Sequence, residues 1–139
     1  MRTCIAALIV KDQRVLLGKR NAMRAFYPDV WDVFGGHQKP GESTEETLRR
    51  ELREELGIEP TRWKFLLTVN EPNAEKYGQG QYHFYLVTDY DGAPENLQPE
   101  EHAVVGWFEF EDAANLPFAH PLYAQLIAAQ FSRASKGKN

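Results

Sequence analysis

The sequence is poor in cysteine: its 139 residues include one, Cys4, so no disulfide can form within the chain. It also lacks a charged-then-apolar signal segment and any apolar run long enough to span a bilayer. These absences predict a protein of a reducing compartment, and we expect it in the cytoplasm with no membrane partner. Cys4 opens an apolar run, so we expect a small buried side chain rather than a nucleophile.

An excess of positive charge is missing as well, because the formal net charge is −4 at pH 7. Nucleic-acid backbones are bound mainly by lysine and arginine at phosphates, so no long nucleic acid is expected as a partner. A small anionic ligand is compatible with this charge, since a local cluster of basic residues or a bound cation reverses the field that net charge suggests.

The composition is that of an ordinary globular protein, with 42% hydrophobic and 12% aromatic residues. A chain of this length buries enough surface to fold as one domain, and the sequence shows no repeat, linker or low-complexity segment. We therefore expect a single domain over residues 1–139, with a mobile tail at residues 133–139. The oligomeric state is left open, a homodimer included.

Apolar runs separated by turn signals predict a sheet. Residues 3–10 and 14–20 are predicted as two strands joined by a tight turn, and residues 21–29 as a loop. Gly35 and Gly36 are expected to break the chain after a short strand at residues 30–34. Further strands are predicted at residues 63–69, 81–89 and 104–110.

Two segments have the spacing of amphipathic helices. The first starts with an S-x-x-E capping box at Ser43 and stops at Gly57, which supplies a left-handed end. Its apolar stripe recurs every fourth residue, at Leu48, Leu52 and Leu56. A second helix is predicted over residues 121–131. Strands interleaved with these helices predict an α/β fold with a mixed β-sheet between helical layers.

Three carboxylates share one edge of the first helix. At 100° per residue, Glu51, Glu54 and Glu55 fall in one sector beside the leucine stripe. Like charges three and four residues apart repel each other, and a divalent cation would relieve this repulsion. Carboxylate oxygens suit Mg²⁺, which in turn binds phosphate oxygens and activates water. A solvated acidic surface is the alternative explanation of these residues taken alone.

A longer frame surrounds these glutamates. Gly36 is followed after five residues by Glu42 and after seven more by the sequence Arg-Glu-Leu-Arg-Glu-Glu-Leu-Gly-Ile, which ends at residue 58. Residues 36–58 resemble the Nudix box, G-x5-E-x7-R-E-U-x-E-E-x-G-U with U a bulky aliphatic residue, and match it at every specified position. The resemblance implies a Nudix-like α/β/α sandwich that hydrolyses a nucleoside diphosphate linked to another group.

The resemblance also implies roles for the residues of the box. Glu54 and Glu55 would be the main ligands of Mg²⁺, or of Mn²⁺ as a substitute, and Glu51 would help to hold the metal or the attacking water. The carbonyl of Gly35 would be a further ligand. Glu54 and Glu51 would be catalytic together with Arg50, which orients a box glutamate.

Two carboxylates outside the helix have open roles. Glu42 would steady the box loop or approach a further metal. Some Nudix enzymes add a metal ligand from a later loop, and Glu101 is our candidate here, with Glu100 as its substitute. A solvent-facing acidic loop is the alternative at that position.

Candidate substrate residues fall into three groups. Lys19, Arg20 and Arg24 lie where the second strand ends and are placed to meet phosphates, although ordinary surface charge explains them equally well. Lys39 lies in the box loop, where proximity to the substrate is expected. Among the aromatic residues near the second strand, we favour Phe26 and Trp31 over Tyr27 as a stacking wall for a base. A later connection, which contributes to base recognition in some family members, contains Phe118 and His120.

The resemblance leaves the substrate open. A small nucleotide-like substrate is expected, and we favour a nucleoside triphosphate, oxidised or not, that is cut to monophosphate and pyrophosphate. His120 stands near the position where members specific for oxidised guanine have asparagine, which disfavours that substrate. ADP-ribose or a sugar nucleotide is the first alternative. A catalytically silent nucleotide sensor is the second, but it predicts damaged box glutamates and none is damaged.

Overall fold

The computed structural model describes residues 1–25, 27–120 and 122–137, with side chains described as far as residue 130. Within these residues the elements follow one another as β1 (Arg2–Lys11), β2 (Arg14–Arg20), β3 (Trp31–Asp32), β4 (Phe34–His37), α1 (Thr44–Leu56), β5 (Glu59–Asn70), α2 (Ala74–Tyr77), β6 (Gly80–Asp91), β7 (His102–Glu109), α3 (Phe110–Ala113) and α4 (Leu122–Gly137).

The strands form a mixed sheet, as predicted. The main order is β3-β2-β1-β6-β5, while β4 also pairs with β1 and β7 with β2. The β1–β6 pair is parallel, and the other pairs are antiparallel. The central strand β1 therefore meets β6 along one edge and both β4 and β2 along the other. This arrangement brings β4 and the first residues of β1 to one place.

Helix α1 begins and ends as its sequence predicts. The Ser43 hydroxyl accepts a hydrogen bond from the Glu46 backbone N–H at 3.1 Å, and the Glu46 carboxylate accepts one from the Ser43 N–H at 3.2 Å. At the other end Gly57 has a φ of 71°, and its N–H donates to the Arg53 carbonyl at 3.0 Å. Both caps satisfy backbone groups that the helix leaves unpaired.

The core has two parts, one on each face of the sheet. Leu48, Leu52 and Leu56 of α1 are fully buried against one face. Tyr123 and Ile127 of α4 pack with the apolar side chains of the other face. The predicted α/β/α sandwich is confirmed. Among the described residues, no helix is long and apolar enough to cross a membrane.

The predicted break at Gly35 and Gly36 is wrong, because both residues lie inside β4. Gly35 pairs with Ala6 and Gly36 with Ile5 in an antiparallel register. A Cβ on Gly35 would lie 1.9 Å from the Ile5 carbonyl oxygen, so a side chain does not fit there. Gly35 thus allows β4 to approach β1 closely, although paired glycines usually interrupt a strand.

Other differences from the predicted elements are mostly at their ends. Strands β5 and β6 are both longer than predicted, and β7 stops at Glu109 because Phe110 already starts α3. Helix α4 covers the predicted second helix and reaches Gly137, which lies within the segment predicted as a tail. The mobility of residues 133–139 stays a prediction.

Leu52→Ala should lower the free energy of unfolding by about 2–5 kcal/mol, because it leaves a cavity beneath α1. Urea denaturation followed by tryptophan fluorescence measures this loss. Arg53→Ala, which changes an exposed residue of the same helix, is the control and should cost less than about 1 kcal/mol. A loss below about 1 kcal/mol for Leu52→Ala would contradict the packing described for this face.

Candidate active site

A cavity of about 280 Å³ opens beside β4 and α1. Its lining comes from distant parts of the chain, including the starts of β1 and β7, the end of β2, part of β6 and the segment before α4. One end is acidic, with Glu51, Glu55 and Glu101. The remaining wall carries basic and aromatic side chains, so the cavity has two ends of different chemistry.

The acidic end depends on the close approach of α1 to β4 at Gly36. A Cβ on Gly36 would lie 2.6 Å from the carboxylate of Glu51. Any larger residue would push this carboxylate away from the strand. The glycine that opens the Nudix-like pattern therefore leaves room for the carboxylate of a glutamate fifteen residues later.

Glu55 is the most buried carboxylate of this end, with 3% of its surface exposed. One of its oxygens accepts a hydrogen bond from the Gly35 N–H at 3.1 Å. Burial raises the pKa of Glu55 well above its usual value, and the neighbouring charges of Glu51 and Glu101 raise it further. Burial also raises the pKa of Glu51, against the opposing effect of Arg50. Negative charge is thus concentrated here at an energetic cost.

The loop before β7 completes the acidic end. Atoms of Glu55, Glu101 and His102 that are able to bind a metal all lie within 4.8 Å of one another. Glu101, proposed from its place in the chain, is therefore next to the helix carboxylates, whereas Glu100 is not part of this group. Arg24 lies 3.9 Å from Glu101. His102 was not predicted as a site residue, and burial lowers its pKa to about 4.

Arg50 joins the box loop to the helix carboxylates. Its guanidinium donates to Glu42 at 2.7 and 3.0 Å, to Glu51 at 2.8 Å and to Glu54 at 3.3 Å. It also donates to the His37 carbonyl at 2.8 Å. These hydrogen bonds lower the pKa of Glu42 to about 2. Of the two roles expected for Glu42, this geometry favours the one that steadies the loop.

Glu54 is placed differently from the other two helix carboxylates. Its side chain is 42% exposed and contacts Arg50, and it lies outside the described residues that line the cavity. Gly35 does line the cavity. The single edge predicted for Glu51, Glu54 and Glu55 is thus split, with Glu54 on the solvent side of Arg50. Its role as a metal ligand or base stays a prediction.

Of the predicted phosphate-binding residues, Arg20 and Arg24 line the cavity, as does Lys39, which was expected near the substrate. Lys19 lies outside the described lining and pairs with Asp29 at 3.4 Å. Arg20 is held by Asp32 at 2.8 Å and by the Tyr27 carbonyl at 2.9 Å. This pairing fixes the guanidinium at the end of β2.

A polar cluster at the other end was not predicted at all. Glu71 is buried and accepts hydrogen bonds from Tyr27 at 2.5 Å, Tyr82 at 2.7 Å and Arg2 at 3.1 Å. Tyr27, Tyr82 and Arg2 line the cavity. These contacts join residues 11 to 69 positions apart, so no local sequence pattern indicates them.

His120 also lines this end and is 6% exposed. Its Nδ1 accepts a hydrogen bond from the Leu122 N–H at 3.0 Å, so the proton of the neutral ring is on Nε2. Burial lowers the pKa of His120 and keeps the ring neutral. The ring stacks on Tyr123 with centroids 5.5 Å apart. The predicted substrate residue therefore presents a neutral imidazole to the cavity.

Three aromatic predictions have other outcomes. Trp31 and Phe118 are bridged to each other through the backbone and pack against the core, outside the described cavity lining. Tyr27, the least favoured aromatic, does line the cavity. Phe26 lies outside the described residues. Substrate contacts of Phe26, Trp31 and Phe118 stay predictions.

The comparison with known proteins agrees with this geometry. The family model described as "NUDIX domain" matches residues 1–130. The chain belongs to the Nudix family. Relatives of the chain are named as a pyrophosphohydrolase and a nucleoside triphosphatase. With the family match, these names identify the protein as an enzyme, a Nudix hydrolase.

Similar Nudix proteins cover most of the chain. CTP pyrophosphohydrolase of Escherichia coli K12 is 35% identical over 93% of this chain and 93% of that protein. Nucleoside triphosphatase NudI of the same strain is 36% identical over 80% of this chain and 84% of that protein. A crystal structure of a MutT Nudix hydrolase from Burkholderia pseudomallei superposes with a TM-score of 0.74 at 34% identity. The match covers 79% of this chain and 84% of that one.

Nudix hydrolases generally use a divalent metal, and the acidic end has the chemistry to hold one. Glu51, Glu55 and Glu101 offer oxygen atoms, which hard cations such as Mg²⁺ and Mn²⁺ prefer. Burial raises the pKa of Glu55 and the charges of Glu51 and Glu101 raise it further, and a cation there would offset both effects. The residues present therefore fit a metal at this end.

Glu42→Gln should destabilise the Nudix domain in a pH-dependent manner. The pKa of Glu42 is about 2 in the folded protein and about 4.5 when unfolded, so its contribution is full above about pH 5 and is lost as the pH falls towards 2. We expect the difference between wild type and variant in free energy of unfolding to shrink over this range.

Urea denaturation at a series of pH values measures that difference. Glu45→Gln, which changes an exposed carboxylate in the first turn of α1, is the control and should follow the wild type closely. A difference that stays constant down to about pH 2.5 would contradict the pairing of Glu42 with Arg50.

Proposed function

We propose that the chain hydrolyses a nucleoside triphosphate to the monophosphate and pyrophosphate, with Mg²⁺ as its metal and Mn²⁺ as a substitute. The carrying observation is the division of the cavity into an acidic end, a basic wall and an aromatic, polar end. These three kinds of lining suit, respectively, a metal with its water, a phosphate chain and a base. We also propose a cytoplasmic location, on the basis of the single cysteine.

The names of two relatives support this choice of substrate. One is a CTP pyrophosphohydrolase and the other a nucleoside triphosphatase, and each shares about a third of its residues with this chain over most of its length. Both names refer to nucleoside triphosphates. We therefore rank this class above ADP-ribose and sugar nucleotides.

The acidic end would carry the hydrolytic step. A divalent cation bound there supplies charge neutralisation and lowers the pKa of water. Glu51, Glu55 and Glu101 are the residues that would hold it. Arg50 is a positioning residue, because its hydrogen bonds fix both Glu51 and Glu54. Glu54, exposed beside Arg50, is our candidate to accept the proton of the attacking water.

The basic wall would hold the phosphates. Arg20 is tied to Asp32 and presents a fixed charge, whereas Arg24 is 3.9 Å from Glu101 and forms only a long ion pair. Arg24 is therefore free to turn towards a phosphate at little energetic cost. Lys39 lies on the box loop and adds a third charge.

The first experiment is a substrate panel with Mg²⁺ or Mn²⁺. We expect pyrophosphate to be released from at least one nucleoside triphosphate, and the panel includes oxidised nucleotides, ADP-ribose and sugar nucleotides. Cleavage of ADP-ribose or a sugar nucleotide alone would overturn the proposed substrate. Binding of nucleotides without turnover of any of them would instead indicate a sensor.

Glu55→Gln in the same assay should lower kcat by at least about 100-fold, because it removes charge from the metal end without changing the size of the side chain. Glu45→Gln, on the exposed face of the same helix, is the matched control and should keep wild-type turnover. Equal activity of both variants would place the reaction elsewhere.

His120 would contribute to binding of the base. Its Nε2 forms no hydrogen bond with the described residues. Every fully buried side-chain nitrogen or oxygen among these residues has a partner, so Nε2 is not fully buried. Its N–H is therefore accessible from the cavity that His120 lines. An accessible N–H donor suits a base that presents a carbonyl oxygen or a ring nitrogen. Tyr27 and Tyr82 on the same wall offer aromatic surface and hydroxyl groups.

His120→Phe should raise KM for the preferred nucleotide by about tenfold and change kcat little, because it removes one hydrogen bond and keeps the aromatic packing. His83→Gln is the control, since His83 bonds to Thr68 away from the cavity. If kcat fell while KM stayed constant, His120 would have a role other than binding the base.

A further inference from the structure

His102 is the first residue of β7 and is 4% exposed, so it is one of the most buried polar residues described. Its ring lies against Gly18, where an added Cβ would come within 2.6 Å of the ring carbon Cδ2. The Phe34 ring packs beside it with centroids 5.0 Å apart. These neighbours leave the imidazole little freedom to turn, so its orientation is fixed by the fold.

The imidazole nitrogens of His102 form no hydrogen bond with any residue that the structure describes. Across residues 1–25, 27–120 and 122–137, the hydrogen bonds of His102 run through its backbone, to Asn96 and Gln98. Every fully buried side-chain nitrogen or oxygen in this part of the chain has a hydrogen-bond partner. The unbonded ring nitrogens are therefore not fully buried, and they are reached from the cavity that His102 lines. A ring nitrogen that faces the cavity without a protein partner is available to a ligand bound there.

The distance to the neighbouring carboxylates fits a shared ion. A ring nitrogen of His102 lies within 4.8 Å of oxygen atoms of Glu55 and Glu101, yet it forms no hydrogen bond with either. Atoms bound to one cation at about 2.1–2.3 Å lie roughly 3–4.5 Å apart. A shift of a few tenths of an ångström would therefore bring all three atoms to one metal.

The type of ligand atom affects which metal binds. Carboxylate oxygens bind Mg²⁺ and Mn²⁺ alike, whereas Mg²⁺ is reluctant to exchange water for nitrogen. Imidazole is a ligand of transition metals rather than of Mg²⁺. Mn²⁺ binds mainly through oxygen, but as a transition metal it gains more from a nitrogen ligand than Mg²⁺ does. A purely carboxylate site would not discriminate in this way.

We propose that His102 is a nitrogen ligand of the divalent metal held by Glu55 and Glu101, and that it raises the affinity of this site for Mn²⁺ more than its affinity for Mg²⁺. The inference rests on the proposed function, because both use the same carboxylates. It goes beyond that function by assigning a residue outside the box and a metal preference that depends on it.

Pulsed electron paramagnetic resonance of the full chain with Mn²⁺ alone tests direct ligation. The wild type should show electron spin-echo modulation from nitrogen, and this signal should change from ¹⁴N to ¹⁵N when histidine is labelled with ¹⁵N. The signal should be lost in His102→Gln. It should persist in His83→Gln and in His37→Gln, the latter changing another histidine that lines the cavity.

Competition binding of the two metals tests the preference. His102→Gln should weaken Mn²⁺ binding by about tenfold and Mg²⁺ binding by less than about twofold. Circular dichroism verifies that the variant is folded. If His102→Gln is unfolded, the labelled wild type still tests the proposal, because the absence of a histidine nitrogen signal there would contradict it.

The outcomes separate this inference from the proposed function. Mn²⁺ that binds without a histidine nitrogen signal would overturn the role of His102 and leave the hydrolase proposal intact. Equal weakening of Mg²⁺ and Mn²⁺ binding in a folded His102→Gln would overturn the metal preference. Failure of the wild type to bind either metal would overturn both proposals.

Discussion

The close contact between α1 and β4 at Gly36 is the constraint on which the site depends. It brings the Glu51 carboxylate against the backbone of a strand, and one turn later it buries Glu55 at the Gly35 N–H. The leucines on the same helix hold it there by packing on the sheet. The packing of the leucines on the sheet thus also places the glutamates, because both sets of side chains belong to α1.

The parts of this arrangement that local sequence predicts are those that local physics determines. The capping box at Ser43, the left-handed end at Gly57 and the leucine spacing together specify α1, and all three were confirmed. The Gly35–Gly36 pair was interpreted as a break because glycine usually ends a strand. Only the neighbouring Ile5 carbonyl shows why glycine is needed inside one.

The rest of the site could not be predicted, because it depends on contacts between distant residues. Glu71 gathers Arg2, Tyr27 and Tyr82 around one carboxylate, and nothing in their spacing indicates this. His102 and Tyr27 were passed over for the same reason, since their importance comes from the cavity they face. Even Glu54, which the helical wheel groups with Glu55, differs from it because Arg50 lies beside it.

The buried carboxylate of Glu55 has a consequence for how such a chain evolves. A residue whose charged form is disfavoured by its surroundings lowers the stability of the protein that carries it. Replacement by a neutral residue of similar size would relieve that burden, so mutation alone would tend to remove it. An intact set of box glutamates is therefore a sign of continuing selection on what the cavity does.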